Sequence, residues 1–180
     1  MSAAAAAPRA DVLPDTPCVV VDLDVVERNI RRLQAYLDEH GIANRPHIKT
    51  HKLPLIARWQ LDAGARGITV QSVGEAEVMA AAGIDDILIT YDVMGEDKVR
   101  RLAQVARLAR LRVAVDNEVA LAAVAAAARL AERSMGVLVE FESGKLRQGV
   151  VTPEEAVRLA RAAAARPELA FLGLLTYPNS

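Results

Sequence analysis

Two hydrophobic periods alternate along the chain. Short runs rich in valine, isoleucine and leucine are followed by longer segments whose apolar residues recur every three or four positions. The short runs predict strands, and the longer segments predict helices with one apolar face. Strands separated by helices in this rhythm predict right-handed βαβ units and a parallel sheet. The predicted strands are residues 19–24, 46–51, 67–73, 86–93, 111–117, 136–144 and 169–178.

The segments between these runs carry helix signals. Residues 25–41 repeat apolar positions at helical spacing and end in glycine. Thr152 and Pro153, followed by two glutamates, predict a helix over residues 154–165 with Thr152 as its N-cap. Further helices are predicted over residues 53–64, 74–83, 95–110 and 118–134.

Two architectures fit this pattern, an open doubly wound sheet and a (β/α)8 barrel of TIM type. A barrel enzyme carries polar groups at the C-terminal ends of successive strands, whereas an open sheet gathers them at one switch point. Polar residues at such positions are Gln71, Asp92, Asp116 and Tyr177, which favours the barrel. Excluding residues 19–24, about six barrel strands are predicted. A closed barrel needs eight, so we expect an incomplete barrel with two open edges.

Composition narrows the class of protein. Hydrophobic residues make up 52% and charged residues 25% of 180 residues, which is typical of one soluble globular domain. A net charge of −1 argues against nucleic-acid partners and acidic membranes, and no apolar run predicts a membrane helix. The single cysteine, Cys18, allows no internal disulfide and fits a cytoplasmic protein. We expect residues 1–12 to be a disordered tail and residues 13–180 to form the domain.

The position of the lysines suggests a reactive amine. The chain has only four lysines, and Lys49 and Lys52 both fall in the sequence KTHK. A lysine amine can lose its proton and attack a carbonyl, whereas a guanidinium stays charged. On a strand, His47, Lys49 and His51 would share one face toward the barrel mouth, and the nearby positive charge would favour the neutral amine. Such an amine can form a Schiff base. The alternative is that Lys49 lies at a strand end and only extends its charge into solvent. Lys52 is expected in the loop that follows.

Five motifs occur in order from Asp15 onward: DTPCVVVDLDVVERNI, RPHIKTHK, GEAEVMAAAGIDDILITY, VEFESGKLRQGV and GLLTYP. With this spacing, the chain resembles the D-threonine aldolase and D-serine dehydratase family, which uses pyridoxal 5′-phosphate (PLP). The resemblance implies a TIM-type barrel of the alanine racemase N-terminal-domain kind, truncated after about six strands and lacking the family's C-terminal β-domain.

The resemblance also implies roles for single residues. Lys49 would be the catalytic lysine that holds PLP as a Schiff base, and Arg147 would bond the cofactor's phenolic oxygen. Tyr177 would lie near the pyridine nitrogen, Gln71 would contact the ring, and His47 would orient Lys49 or line the substrate pocket. From the residues alone, Arg147 could instead pair with a neighbouring glutamate, and Tyr177 could be a half-buried strand-end tyrosine. The family's Asp-Thr-Gly is Glu-Ser-Gly at residues 142–144 here, which changes the loop mildly.

Two parts of such an enzyme are not found in the sequence. No glycine-rich phosphate cradle occurs, so we expect the isolated chain to retain PLP weakly. The resemblance implies a divalent metal whose ligands lie in the family's C-terminal β-domain. The two histidines of HIKTH are four residues apart on a predicted strand, and this spacing does not form a metal site there. No metal ligand is therefore predicted in this chain.

The predicted function is that of a PLP-dependent lyase acting on D-β-hydroxy amino acids, which cleaves D-threonine to glycine and acetaldehyde. The alternatives are a D-serine dehydratase, an amino-acid racemase, a non-catalytic PLP-binding protein and an inactive truncated fragment. The partners expected are a small D-amino acid and either a second copy of the chain or a complementary chain that completes the barrel.

Overall fold

The computed structural model describes residues 15–178 and contains one parallel sheet with strand order β1-β2-β3-β4-β5. A helix separates each strand from the next, so the strands follow one another in space as they do in sequence. This order is that of a barrel wall, because a doubly wound sheet reverses its direction at a switch point. The barrel prediction is confirmed as a partial barrel. The strands are β1 Ile68–Val70, β2 Asp86–Ile89, β3 Arg110–Val115, β4 Met135–Glu140 and β5 Leu169–Leu175.

Six α-helices lie among the described residues, and their predicted positions are confirmed to within a few residues. Thr152 forms the predicted N-cap, because its side chain accepts from Glu155 N while the Glu155 carboxylate accepts from Thr152 N. None of these helices is both long and apolar enough to cross a membrane. The helices are α1 Leu23–Glu39, α2 Pro54–Asp62, α3 Val73–Ala81, α4 Glu96–Leu108, α5 Glu118–Ala131 and α6 Pro153–Ala164.

The core lies between the helices and one face of the sheet. On β4, Val137 and Val139 are fully buried in this core, while Leu138 and Glu140 point to the opposite face. The alanines of α5 let that helix pack closely on the sheet, and seven residues of the helix are buried. This alternation directs Glu140 toward the barrel interior.

Two predicted strands are wrong. Asp22 accepts a hydrogen bond from Val25 N and starts α1 at Leu23, and residues 19–22 form no strand. This cap outweighs the β propensity of the three preceding valines. In residues 46–51, only His47 forms a parallel bridge, to Thr69, and Ile48–Thr50 is one turn of 3-10 helix. Residues 15–178 therefore form five strands rather than six. The predicted tail, residues 1–12, lies outside the described residues.

Asp86 joins three segments inside the sheet. Its side chain is only 7% exposed and accepts a hydrogen bond from Arg45 Nη1 at 2.6 Å and another from Arg112 Nη1. The guanidinium of Arg45 reaches Asp86 beside Gly67, where an added Cβ would lie 2.7 Å from the Asp86 carbonyl oxygen and clash with Arg45. This network ties the segment before His47 to β2 and β3.

Asp86→Asn tests the network. The amide cannot neutralise two partly buried guanidinium groups, so we expect a loss of roughly 2–3 kcal/mol in the free energy of unfolding. Asp85→Asn is the matched control because Asp85 is the neighbouring residue and its side chain is 78% exposed. We expect that control to change stability by less than about 0.5 kcal/mol. Urea unfolding of the three proteins gives the comparison, and equal midpoints would contradict the importance of Asp86.

Candidate active site

The five residues predicted for the site surround one cavity of about 300 Å³. His47 and Lys49 reach it from the segment before α2, Gln71 from the end of β1, Arg147 from the loop after β4 and Tyr177 from the end of β5. The cavity lies at the C-terminal ends of the strands, where parallel barrels carry their active sites. Glu140, which was not among the predicted site residues, also lines it.

The 3-10 turn fixes the orientation of Lys49. The Nδ1 atom of His47 accepts from Lys49 N at 3.3 Å, and the fully buried Ile48 anchors the turn between the two residues. Burial and the positive charge of Lys49 lower the pKa of His47, so its ring is neutral at neutral pH. Lys49 itself is exposed and directs its amine to the cavity.

Because this segment turns, His51 leaves the face that a strand would have given it. Its Nδ1 atom accepts from Leu53 N at 3.1 Å, and the residue does not line the cavity. The prediction that His47, Lys49 and His51 share one face is therefore wrong for His51. Ring nitrogens that accept neighbouring backbone N–H groups favour this turn over a strand.

Lys52 lies in the loop, as predicted, and points away from Lys49's cavity. Its Nζ atom lies 3.2 Å from Glu75 Oε1, and its backbone has a positive φ of 54°. The other oxygen of Glu75 accepts from Gln71 N at 2.7 Å. Glu75 thus links the loop of Lys52 to the end of β1, and this leaves Lys49 as the lysine of the KTHK motif that faces the cavity.

Three cations surround the ring of Tyr177. The ring centroid lies 5.8 Å from Lys49 Nζ, 5.2 Å from Lys145 Nζ and 5.2 Å from Arg147 Cζ. These distances are within the range of cation–π attraction. Lys145 was not predicted as a site residue, although it lies two residues before Arg147 in the same motif. The rim is therefore cationic and suited to an anionic molecule.

Carboxylates hold the loop of Arg147 by its backbone. Glu142 accepts from Gly144 N at 2.8 Å and from Leu146 N at 2.7 Å, and these bonds lower its pKa. Asp116 at the end of β3 accepts from Gly149 N at 2.8 Å. Gly149 has a φ of 113°, and an added Cβ would lie 2.6 Å from Glu142 N, so only glycine fits there.

The carboxyl groups of Asp92 and Asp116 lie close together beneath this loop. Burial, and then the neighbouring Asp116, raise the pKa of Asp92 to about 7. Burial opposes ionisation of Asp116 as well, but the hydrogen bond from Gly149 N and its other hydrogen bonds outweigh burial and lower the pKa of Asp116. Asn117 Nδ2 donates to both, at 3.0 Å to Asp92 and 2.7 Å to Asp116. Asp92 therefore holds the proton of the pair in weakly acidic solution.

This pair gives stability a pH dependence. The pKa of Asp92 in the folded protein, about 7, exceeds its ordinary value of 3.8, so the folded protein binds this proton more tightly than the unfolded chain does. The contribution is present below pH 3.8 and is lost as the pH rises toward 7. Asp92→Asn has no such proton, so the stability of the variant relative to the wild type should increase as the pH rises from 3.8 to about 7 and stay constant above that.

Urea unfolding at several pH values measures that difference. Asp97→Asn serves as the control because the side chain of Asp97 is 73% exposed on α4. Parallel stability profiles for the wild type and Asp92→Asn would show that Asp92 does not hold this proton.

The fold and the site together define a class of protein, a parallel (β/α) barrel with a lysine amine at its strand-end cavity. The model of the alanine racemase N-terminal domain family matches residues 21–180. The chain belongs to that family.

The chain is similar in sequence and in structure to D-threonine aldolases and to a D-threo-3-hydroxyaspartate dehydratase. The chain is 45% identical over 166 residues to a D-threonine aldolase from Arthrobacter sp, covering 92% of this chain and 44% of the relative. The crystal structure of D-threonine aldolase from Filomicrobium marinum matches with a TM-score of 0.86 and 41% identity, over 89% of this chain and 43% of that one. D-threo-3-hydroxyaspartate dehydratase from Delftia sp. HT23 matches with a TM-score of 0.76 and 36% identity, over 91% of this chain and 43% of that one. The chain thus spans less than half the length of these relatives.

Proposed function

We propose that the cavity binds PLP through Lys49 and serves a lyase that acts on D-β-hydroxy amino acids, as D-threonine aldolase does. The observation that carries the proposal is the convergence of Lys49, Arg147 and Tyr177 on one cavity in a chain 45% identical to such an aldolase. PLP carries an aldehyde, a phenolic oxygen and a phosphate. When bound, it supplies an electron sink for the substrate's Cα.

The residues of the cavity fit this cofactor. Lys49 offers the amine that an aldehyde requires, and the guanidinium of Arg147 suits a phenolate oxygen. The cavity volume of about 300 Å³ is within the range of small-molecule sites. The three cations around Tyr177 favour an anionic guest over a neutral one.

Each residue has a proposed task. Lys49 holds the cofactor and, once its amine is free, can carry a proton near the substrate. His47 is neutral, fixes the turn of Lys49 and lines the substrate side. Gln71 contacts the ring, and the phenol of Tyr177 is a weak partner that leaves a pyridine nitrogen unprotonated. These roles rest on position in the cavity and on the chemistry of each side chain.

An aldolase is preferred to a dehydratase because identity to the Arthrobacter aldolase is 45%, against 39% to the D-threo-3-hydroxyaspartate dehydratase of Delftia sp.. The dehydratase remains the second candidate, because its solved structure shares this fold at 36% identity. The proposal includes a small D-amino acid as substrate and a homodimer or a complementary chain as the assembly. Among residues 15–178, no group of three or more histidine, cysteine, aspartate or glutamate side chains could hold a metal ion. A divalent metal would therefore need ligands from outside these residues.

Cofactor labelling tests the role of Lys49. The chain is incubated with PLP, reduced with borohydride and digested, and the modified lysine is identified by mass spectrometry. We expect the label on Lys49 and its loss in Lys49→Ala. Lys98→Ala is the matched control because Lys98 is an exposed lysine on α4. Label spread evenly over all four lysines would show nonspecific amine chemistry and contradict the proposal.

Product analysis tests the reaction. With D-threonine, an aldolase releases glycine and acetaldehyde, whereas a dehydratase releases ammonia and a keto acid. We expect glycine, and we expect Lys49→Ala to lower its rate by at least about 10³-fold. The assay uses the chain alone and the chain assembled with a complementary segment of an aldolase. Ammonia without glycine in both samples would favour the dehydratase.

A further inference from the structure

Asn117 lies where the end of β3, the start of α5 and the carboxyl pair meet. It is the N-cap of α5, because its Oδ1 atom accepts a hydrogen bond from Ala120 N at 2.9 Å. Its Nδ2 atom donates to Asp92 Oδ2 at 3.0 Å and to Asp116 Oδ1 at 2.7 Å. One side chain thus joins a helix to the two carboxyl groups.

The helix cap fixes the direction of the Asn117 amide. An asparagine side chain has one carbonyl oxygen and one NH2 group, so turning the oxygen toward Ala120 N turns both donors toward the carboxyl groups. The reverse orientation would place N–H against N–H at the helix end and oxygen against oxygen at Asp92 and Asp116. All three contacts therefore favour the same orientation. The helix is itself a firm anchor, because seven of its residues are buried.

Asp116 carries this alignment to the loop after β4. Residues 142–149, here called the cationic loop, include Lys145 and Arg147. The Oδ2 atom of Asp116 accepts from Gly149 N in this loop at 2.8 Å, while its Oδ1 atom accepts from Asn117. The direction of the Asp116 carboxylate therefore bears on where the cationic loop lies.

The hydrogen bond reaches the cationic loop at a closely packed point. A Cβ added to Gly149 would lie 2.6 Å from Glu142 N and 2.9 Å from Phe141 C, so the two ends of the loop touch there. Glu142 N also donates to Val150 O at 2.9 Å, which holds the same two ends together. A shift of Gly149 would therefore displace both ends of the loop.

The helix alone does not explain an asparagine at this position. Aspartate caps helices about as well as asparagine does, and a negative charge is favourable at a helix N-terminus. An ionised aspartate, however, cannot donate a hydrogen bond. It would add a third carboxyl group beside Asp92 and Asp116, and like charges at short distance repel. The amide of Asn117 therefore suits the carboxyl pair specifically.

We propose that Asn117 is a positioning residue for the candidate active site: its amide aligns Asp116, which holds Gly149 and with it the cationic loop that carries Arg147. The inference rests on the proposed function for the task of Arg147 at the cofactor. The hydrogen bonds themselves need no cofactor. Asn117 does not line the cavity and acts through Asp116.

Amide hydrogen exchange in the ligand-free chain, measured by NMR, tests the proposal with Asn117→Asp. Exchange of a protected amide reports local opening of its hydrogen bond. We expect the Gly149 amide to exchange about tenfold faster than in the wild type, because its acceptor loses its alignment. The Ala120 amide should exchange no faster, because aspartate keeps the helix cap. A residue that only capped α5 would leave Gly149 unchanged.

Two further variants and a control complete the comparison. Asn117→Ser keeps a cap without adding charge, so we expect a smaller increase at Gly149, and this variant carries the test if Asn117→Asp fails to fold by circular dichroism. Asp116→Asn removes the charged acceptor itself and should speed Gly149 exchange at least as much as Asn117→Asp. Asp22→Asn is the matched control, because it exchanges the same two side chains at the N-cap of α1. We expect that control to leave Gly149 unchanged.

PLP titration of the same proteins, followed by the absorbance of the Schiff base, measures the effect on the site. We expect Asn117→Asp to need about fivefold more PLP for half saturation, which is at the low end of coupling between sites. Half saturation equal to that of the wild type would remove Asn117 from the site. Unchanged Gly149 exchange in both Asn117 variants, or an equal increase at Gly149 and Ala120, would overturn the proposal directly.

The two measurements separate this inference from the proposed function. A PLP label on Lys49 of the wild type together with unchanged Gly149 exchange in the variants would end the inference alone. Absence of that label in the wild type would end the proposed function, but the exchange result, which needs no cofactor, would stand.

Discussion

The position of Lys49 depends on an ion pair deep inside the sheet. Arg45 donates to Asp86 at the start of β2, and the next residues continue in the direction of a barrel strand. Thr69 N donates to Pro46 O at 2.8 Å, and His47 bridges to Thr69. Ile48 then enters the core with no exposed surface. A segment that forms one bridge instead of a ladder is thus fixed at both ends, and the lysine between these anchors and α2 reaches the cavity.

Positive and negative groups occupy different parts of the site. The amine and guanidinium groups lie at the cavity rim around Tyr177, whereas Asp116 and Glu142 bind backbone N–H groups of the loop behind them. Because those carboxylates are already engaged, they do not neutralise the rim. A chain with a net charge of −1 can therefore present a locally cationic cavity to an anionic guest.

Much of this arrangement could be predicted from the sequence, because hydrophobic periodicity and cap residues act locally. The helix cap at Thr152 and the strand-end positions of Gln71 and Tyr177 follow from such signals. The strand predicted over residues 46–51 is wrong because the side chains of His47 and His51 accept hydrogen bonds from nearby backbone N–H groups, which favours a turn. Strand propensity does not include such hydrogen bonds. The burial of Glu140 on the cavity wall depends on how the strands and the loop after β4 pack around it, and no local pattern encodes that burial.

The orientation of Tyr177 shows how one irregular residue redirects a strand. β4 and β5 pair Val137 with Phe171 but Leu138 with Gly173, so β5 carries one extra residue between these pairs. Paired residues share a face, which puts Phe171 on the helix side with Val137 and puts Leu175 on the cavity side with Glu140. Strict alternation would have left residues 171, 173, 175 and 177 on a single face. The bulge reverses that assignment before the strand ends, so Leu175 and Tyr177 line the cavity. A bulge beside a candidate active site therefore has a direct effect here: it turns the tyrosine ring toward the lysine amine and the guanidinium that the remainder of the fold brings to the same rim.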